Sequence, residues 1–163
     1  KEILEYILTE AVAKDWDTSR LSQEECLRSL ADFDTLCVLH CLEVYSQENN
    51  QYTEEQSDKI WHLDSIKISL FRAKQLLQLT SRSWALDAFL AEWKDTVPHG
   101  VPTGVDMLKG VAVVTTELKS PMIQYLPVSS LPRDPRQRFR VLFTTKKSWA
   151  LDEIMPYLQD VTP

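Results

Sequence analysis

Apolar residues at Ile3, Leu4, Ile7, Leu8, Ala11 and Val12 recur three and four positions apart, the spacing of one helix face. After Trp16 the pattern predicts a second helix. Ser22 and Glu25 form a capping-box signature ahead of Cys26, Leu27 and Leu30. Asp32 or Asp34 can cap a third helix, which offers Leu36, Leu39, Cys41 and Leu42 to a core. A polar stretch at 46–59 then precedes a short strand candidate at 60–63.

The order repeats further along. Asp64 or Ser65 can cap a long helix through Ile68, Phe71 and Leu76, and Trp84 precedes a helix over 86–93. The run Val97-Pro98-His99-Gly100 breaks the chain, and a short helix near 105–108 stops at Gly110, a plausible C-cap. Residues 111–115 and 122–126 are β-rich and joined by 117–121, which predicts a hairpin. The Pro-rich stretch 127–135 reads as a linker and predicts a hinge. Beyond it Phe139, Leu142 and Phe143 open another amphipathic stretch, followed by Trp149 and a helix over 151–158.

Three helices followed by a hairpin is the order of a winged helix. The predicted fold is therefore mainly α with small β-hairpin wings, built as tandem winged-helix modules. They span 1–63 (acidic), 64–128, and 129–163, the last a linker with the start of a truncated module. The tryptophans support a repeat: Trp16, Trp84 and Trp149 stand 68 and 65 residues apart, and Ser-Trp-Ala-Leu-Asp occurs at both 83–87 and 148–152. Their place just before a helix predicts a core role for Trp84 and Trp149, and Trp61 and Trp93 are expected in the core as well.

Composition narrows the function. With only Gly100, Gly104 and Gly110, the chain has no material for a glycine-rich phosphate loop. No apolar run approaches the roughly 18 residues of a membrane span, so no membrane partner is expected. The acidic start, Lys1-Glu2-Ile3-Leu4-Glu5, is unlike a targeting leader, and without an initiator Met the chain reads as a piece of something longer. Three cysteines, Cys26, Cys37 and Cys41, suggest no disulfide framework and fit a reducing compartment. Net charge is −6, yet between Lys119 and Lys147 there are seven basic side chains and one acid, Asp134. An anionic partner should meet the chain there.

Three segments together resemble the C-terminal half of the DCC-type sister-chromatid-cohesion subunit of the alternative replication factor C clamp loader. One is Phe89 to Val97 with Pro98 and Gly100, followed by Leu108-Lys109-Gly110-Val111-Ala112-Val113. Another is Leu131-Pro132-Arg133-Asp134 leading into Arg138-Phe139 and Leu142-Phe143; the last is Trp149 with Ile154 and Pro156-Tyr157-Leu158-Gln159-Asp160. The resemblance implies tandem winged helices at the end of a subunit whose N-terminal part pairs with two other clamp-loader subunits. It also implies contact with DNA and attachment to polymerase epsilon, so that the sliding clamp is loaded at forks, in the nucleus. The family continues past the equivalent of Asp160 with a further helix and basic residues.

The candidate DNA-binding residues are Arg133, Arg136, Arg138, Arg140, Lys146 and Lys147, spaced to neutralise successive phosphates. Nothing marks base-specific readout, so sequence-independent binding is expected; a solvated linker and helix face is the plainer reading. Cys37, His40 and Cys41 share a helix face, but a structural zinc needs four ligands, and these cysteines sit among Leu36, Val38, Leu39 and Leu42 as small hydrophobes would. No metal, cofactor or catalytic residue is expected, and the chain reads as a non-enzymatic adaptor. The alternatives are a protein-binding scaffold of tandem winged helices, of the trafficking or ubiquitin-ligase type, and an enzyme fragment with a thiol or metal site.

Overall fold

The computed structural model describes residues 2–47, 59–79, 83–97, 100–116 and 119–161. It is mainly helical with small antiparallel sheets, as the pattern predicts. The chain divides into two compact units, Lys1–Ile68 and Ser69–Pro163.

In the first unit, α1 (Glu2–Ala13) buries Leu4, Ile7, Leu8 and Ala11, the predicted stripe. It ends where Asp15 takes a positive φ of 54° and the Trp16 N–H reaches back to the Ala11 carbonyl at 2.8 Å. The chain then forms β1 (Leu21–Ser22) and enters α2 (Gln23–Ser29), where the Ser22 hydroxyl accepts the Glu25 N–H at 3.1 Å. For α3 (Thr35–Tyr45) the cap is Asp34, not Asp32: its carboxylate accepts the Cys37 N–H at 3.1 Å. Val38 and Leu42 point inward and α3 packs on α1. β2 (Ile60–Trp61) pairs antiparallel with β1, Leu21 opposite Trp61 and Ser22 opposite Ile60. Of the polar stretch between α3 and β2, residues 48–58 lie outside the described residues.

The division between units falls within α4 (Ser65–Gln78), whose N-terminus is held by Asp64 accepting the Ile66 and Lys67 N–H groups. In the second unit, β3 (Trp84–Ala85) leads into α5 (Leu86–Thr96), and a 3-10 turn follows at Val105–Leu108. β4 (Ala112–Thr115) and β5 (Met122–Tyr125) form the predicted hairpin, and β3 joins it on the β5 side, giving the order β3-β5-β4. The hairpin link at 117–118, like Pro98 and His99 of the predicted break, lies outside the described residues.

Two apolar clusters lie on opposite faces of β4. Ala112 and Val114 pack against a core of Ala73, Leu76, Leu77, Phe89, Trp93, Leu108 and Ile123. Val113, between them, joins Leu131, Leu142 and Tyr157. Successive strand side chains point to opposite faces, so one apolar run serves both clusters. The second cluster draws on α6 (Pro135–Thr145) and the pair α7 (Leu151–Ile154) and 3-10 turn Met155–Tyr157. The predicted hinge at 127–135 is therefore packed. Leu131 is buried, Val128 N–H bonds to the Gly110 carbonyl at 3.0 Å, and Asp134 caps α6 by accepting the Gln137 N–H at 2.9 Å.

All four tryptophans expected in the core take part in it, Trp84 and Trp149 by packing against the two clusters of the second unit, but to different depths. Trp61 and Trp93 are the buried ones, Trp93 donating its indole N–H to the Ser69 carbonyl at 2.9 Å, whereas Trp84 and Trp149 are half-buried. In each Ser-Trp-Ala-Leu-Asp segment the alanine, Ala85 or Ala150, is the extended N-cap of the helix that follows. In the first unit that place is held by Leu21-Ser22 before α2, so the structural counterpart of Trp84 is Leu21 rather than Trp16.

Gly110 has a φ of +80°, and a Cβ there would lie 3.1 Å from Cβ of Pro156. We expect Gly110→Ala to destabilise the second unit by about 1–2 kcal/mol from the backbone alone, with a further cost from displacing Pro156. Chemical denaturation against wild type measures it.

Candidate nucleic-acid interface

The predicted binding segment is centred on α6, whose helical period sorts its side chains into two faces. Arg138, Val141, Leu142 and Thr145 turn inward; Arg136, Phe139, Arg140 and Phe143 share a sector of roughly 100° on the other side. Arg136 and Arg140 are exposed, as are Arg133 before the helix and Lys147 after it. Phe139 and Phe143 are 41% and 48% exposed, with rings 6.2 Å apart and 19° from parallel. Of the three apolar residues that open this stretch only Leu142 is buried.

Arg138 is a correction to the sequence expectation. It is 1% exposed, and its guanidinium serves as an internal clamp. Nε donates to the Pro132 carbonyl at 2.7 Å and Nη1 to the Tyr157 carbonyl at 2.8 Å. Nη1 and Nη2 also form a forked pair with the Asp160 carboxylate, Nη2 to Oδ2 at 3.0 Å. The Arg138 hydrogen bonds hold the Asp160 carboxyl below the usual carboxylate range. A guanidinium with these partners is not available to a phosphate.

Lys146 is also largely taken. Its ammonium pairs with Glu153 at 2.6 Å, lies 5.5 Å from the centre of the Trp149 ring, and is mostly covered. It borders a hollow of about 220 Å³ whose lining includes Asp106, Lys109, Lys146, Trp149, Asp152 and Glu153. Lys109 there bridges Asp152 at 2.7 Å and Asp106 at 3.3 Å. The hydrogen bond to Asp152 is the main cause that raises the Lys109 pKa, and Lys109 in turn lowers that of Asp152. With three carboxylates against two ammonium groups, this hollow does not favour an anion.

Four of the six predicted cations are exposed: Arg133, Arg136, Arg140 and Lys147. The sequence reading missed that two phenylalanines stand among them. The spacing 136/139/140/143 carried that signal, since it is one helical stripe. Charge separates the units as well. Residues 1–68 hold six Lys or Arg against fifteen Asp or Glu, and residues 69–163 hold twelve against nine. A polyanion is repelled by the first and tolerated by the second.

The cysteines differ among themselves. Cys26 is buried, Cys41 half-buried and Cys37 exposed, so buried packing describes only part of the set. Burial pushes the Cys41 thiol up, away from a reactive thiolate. Among the described residues no group of three His, Cys, Asp or Glu side chains is placed to hold a metal, and no helix is long and apolar enough to cross a membrane.

These features define a mainly helical protein of small units, one presenting a basic and aromatic helix face. The chain belongs to the Dcc1 family: the profile described as "Sister chromatid cohesion protein Dcc1" matches residues 1–158. It is 29% identical over 181 residues to "Probable sister chromatid cohesion protein DCC1" of Dictyostelium discoideum, covering 99% of this chain and 48% of that protein. To "Sister chromatid cohesion protein DCC1" of Homo sapiens it is 30% identical over 161 residues, covering 98% and 40%. The Saccharomyces cerevisiae protein of the same name is 27% identical over 166 residues, covering 97% and 43%. The chain thus spans less than half the length of these relatives.

Two outcomes check the site. Arg138→Ala should destabilise the protein by about 3 kcal/mol, because it leaves two carbonyls and a carboxylate without their donor, whereas Arg136→Ala should stay within about 0.5 kcal/mol; denaturant midpoints separate them. The Asp160 carboxyl is depressed in the folded protein, so its contribution is present above the unfolded carboxylate pKa of about 3.9 and is lost as pH falls through the folded value. Asp160→Asn should therefore lower stability at pH 7 and lose less of it on acidification than wild type, which denaturation across that range measures.

Proposed function

We propose that the chain is a non-catalytic DNA-replication adaptor, the winged-helix region of an accessory subunit in the cohesion-specific alternative clamp loader. It contacts polymerase epsilon and DNA, supports loading of the sliding clamp and sister chromatid cohesion, and works in the nucleus. Within it, 1–63, 64–128 and 129–163 are the winged-helix modules, the last one partial. The order helix, strand, helix, helical turn, strand, strand with sheet order β3-β5-β4 supports the module reading for the middle segment. In the first segment β1, α2, α3 and β2 follow α1 in a parallel order.

The observation that carries DNA contact is the exposed set Arg133, Arg136, Arg140 and Lys147, on the unit with net positive charge, in a chain of the Dcc1 family. Four such cations neutralise phosphates and release counterions, giving sequence-independent, salt-sensitive affinity. Lys146 contributes only if it leaves Glu153, and Arg138 acts by holding the segment in shape. The other loader subunits and the sliding clamp are reached through the full complex.

A second reading, a winged-helix scaffold that binds protein and no DNA, draws on the exposed Phe139 and Phe143 and on the acidic first unit.

Fluorescence anisotropy with a labelled oligonucleotide over a salt series distinguishes them. Replacing Arg133, Arg136, Arg140 and Lys147 by Ala should reduce affinity by about tenfold or more and flatten the log–log salt slope by about 3–4. Capture of the polymerase epsilon catalytic region should survive that change if the first unit holds it. Absence of salt-dependent DNA binding in the unmutated chain would leave the scaffold reading, and loss of both activities would overturn the adaptor.

A further inference from the structure

The first unit exposes a helix face that nothing above uses. On α3, Val38 and Leu42 turn inward, while Leu36, Cys37, His40 and Val44 fall in a sector of roughly 100° on the outer side. Leu36 is 75% and Val44 45% exposed. Large aliphatic side chains held in water on one stripe of a regular helix suggest an interaction surface when they stand together.

The charge around this stripe gives its partner a sign. Residues 29–47 contain three Asp or Glu and not one Lys or Arg. Asp32, Asp34 and Glu43 are exposed beside the stripe, Asp34 at the N-terminus of α3 and Glu43 one helical step from His40 and Val44. These three carboxylates outnumber the one ammonium group at the end of the stripe, that of Lys67, which donates to the Val44 and Ser46 carbonyls at 2.9 and 2.8 Å. Leu36 and Val44 are separated by about 12 Å along the axis at 1.5 Å per residue. That is the span of two turns, and it matches the i, i+3/i+4, i+7 anchors of a docked amphipathic helix.

We propose that the outer face of α3 docks an amphipathic helix of another polypeptide that carries Lys or Arg along its rim, with Leu36 and Val44 as apolar anchors. Asp32, Asp34 and Glu43 pair with that basic rim and set its orientation. The site lies in the first unit and does not depend on DNA contact at Arg133 to Lys147, so either can fail alone.

The test uses the whole chain, labelled with nitrogen-15, and a synthetic helical peptide with one Leu face and Lys elsewhere. A control peptide has Glu in place of Lys. The Lys peptide should shift the amides of Thr35–Tyr45 saturably, and the Glu peptide should not. Combining Leu36→Ser with Val44→Ser should weaken the Lys peptide by about tenfold or more with an unchanged melting midpoint, since both positions are exposed. Glu43→Lys, a surface change, should weaken it further at low salt than at high salt. Shifts centred elsewhere, equal binding by the double variant, or shifts of α3 amides produced by an oligonucleotide would each overturn the proposal. So would α3 shifts on simple concentration of the free chain, which would assign the face to a second copy.

Discussion

The second unit depends on one short strand being apolar on both faces. β4 presents Ala112 and Val114 to one cluster and Val113 to the other, so three consecutive residues join two cores. A strand covered on one side alone would alternate apolar and polar residues; this one cannot, and its sequence shows it. The arrangement brings residues 127–161 against the sheet instead of leaving them to a free linker. Tyr157 completes it, with its ring in the second cluster and its hydroxyl donating to the Ala112 carbonyl at 3.2 Å. Burial pushes that hydroxyl far above its ordinary pKa, so it stays a donor.

Arg138 is the polar counterpart of that packing. Its fork gathers Pro132, Tyr157 and Asp160, groups from before, at the end of and beyond the helical pair, around one buried charge. Such a charge is tolerated only when its donors are satisfied, and here two of the acceptors are main-chain carbonyls. The same helix therefore has two electrostatic roles. Its inner arginine is structural, while Arg136 and Arg140 on the outer side are free to meet a partner that recognises charge.

Much of this fold was legible beforehand because it rests on local rules. The period of α1, the caps at Ser22 and Asp34, the hairpin of β4 and β5 and the glycine stop at Gly110 all follow from neighbours in sequence. What was not legible depends on backbone groups brought from a distance. Nothing at Arg138 announces that the carbonyls of Pro132 and Tyr157 will converge on it, so it read as one more surface cation. The depth of Trp93 was not legible for the same reason, its acceptor being the Ser69 carbonyl on another helix. Aligning the repeat on tryptophan misplaced Trp16, because the recurring place is the residue just before the extended N-cap, which Leu21 fills in the first unit.

The two small sheets also say something about how freely these chains can change in length. Leu21 pairs with Trp61, and Trp84 with Ile123, so each pairing closes a loop of similar size around its own helices. The entropy of closing a flexible loop rises only with the logarithm of its length, about 0.6 kcal/mol for each doubling. Once the strand partners are fixed by their buried side chains, extra residues between them cost little. The Dictyostelium discoideum relative aligns over 181 residues against the 163 of this chain. Polymer statistics thus make insertion between paired strands inexpensive in free energy.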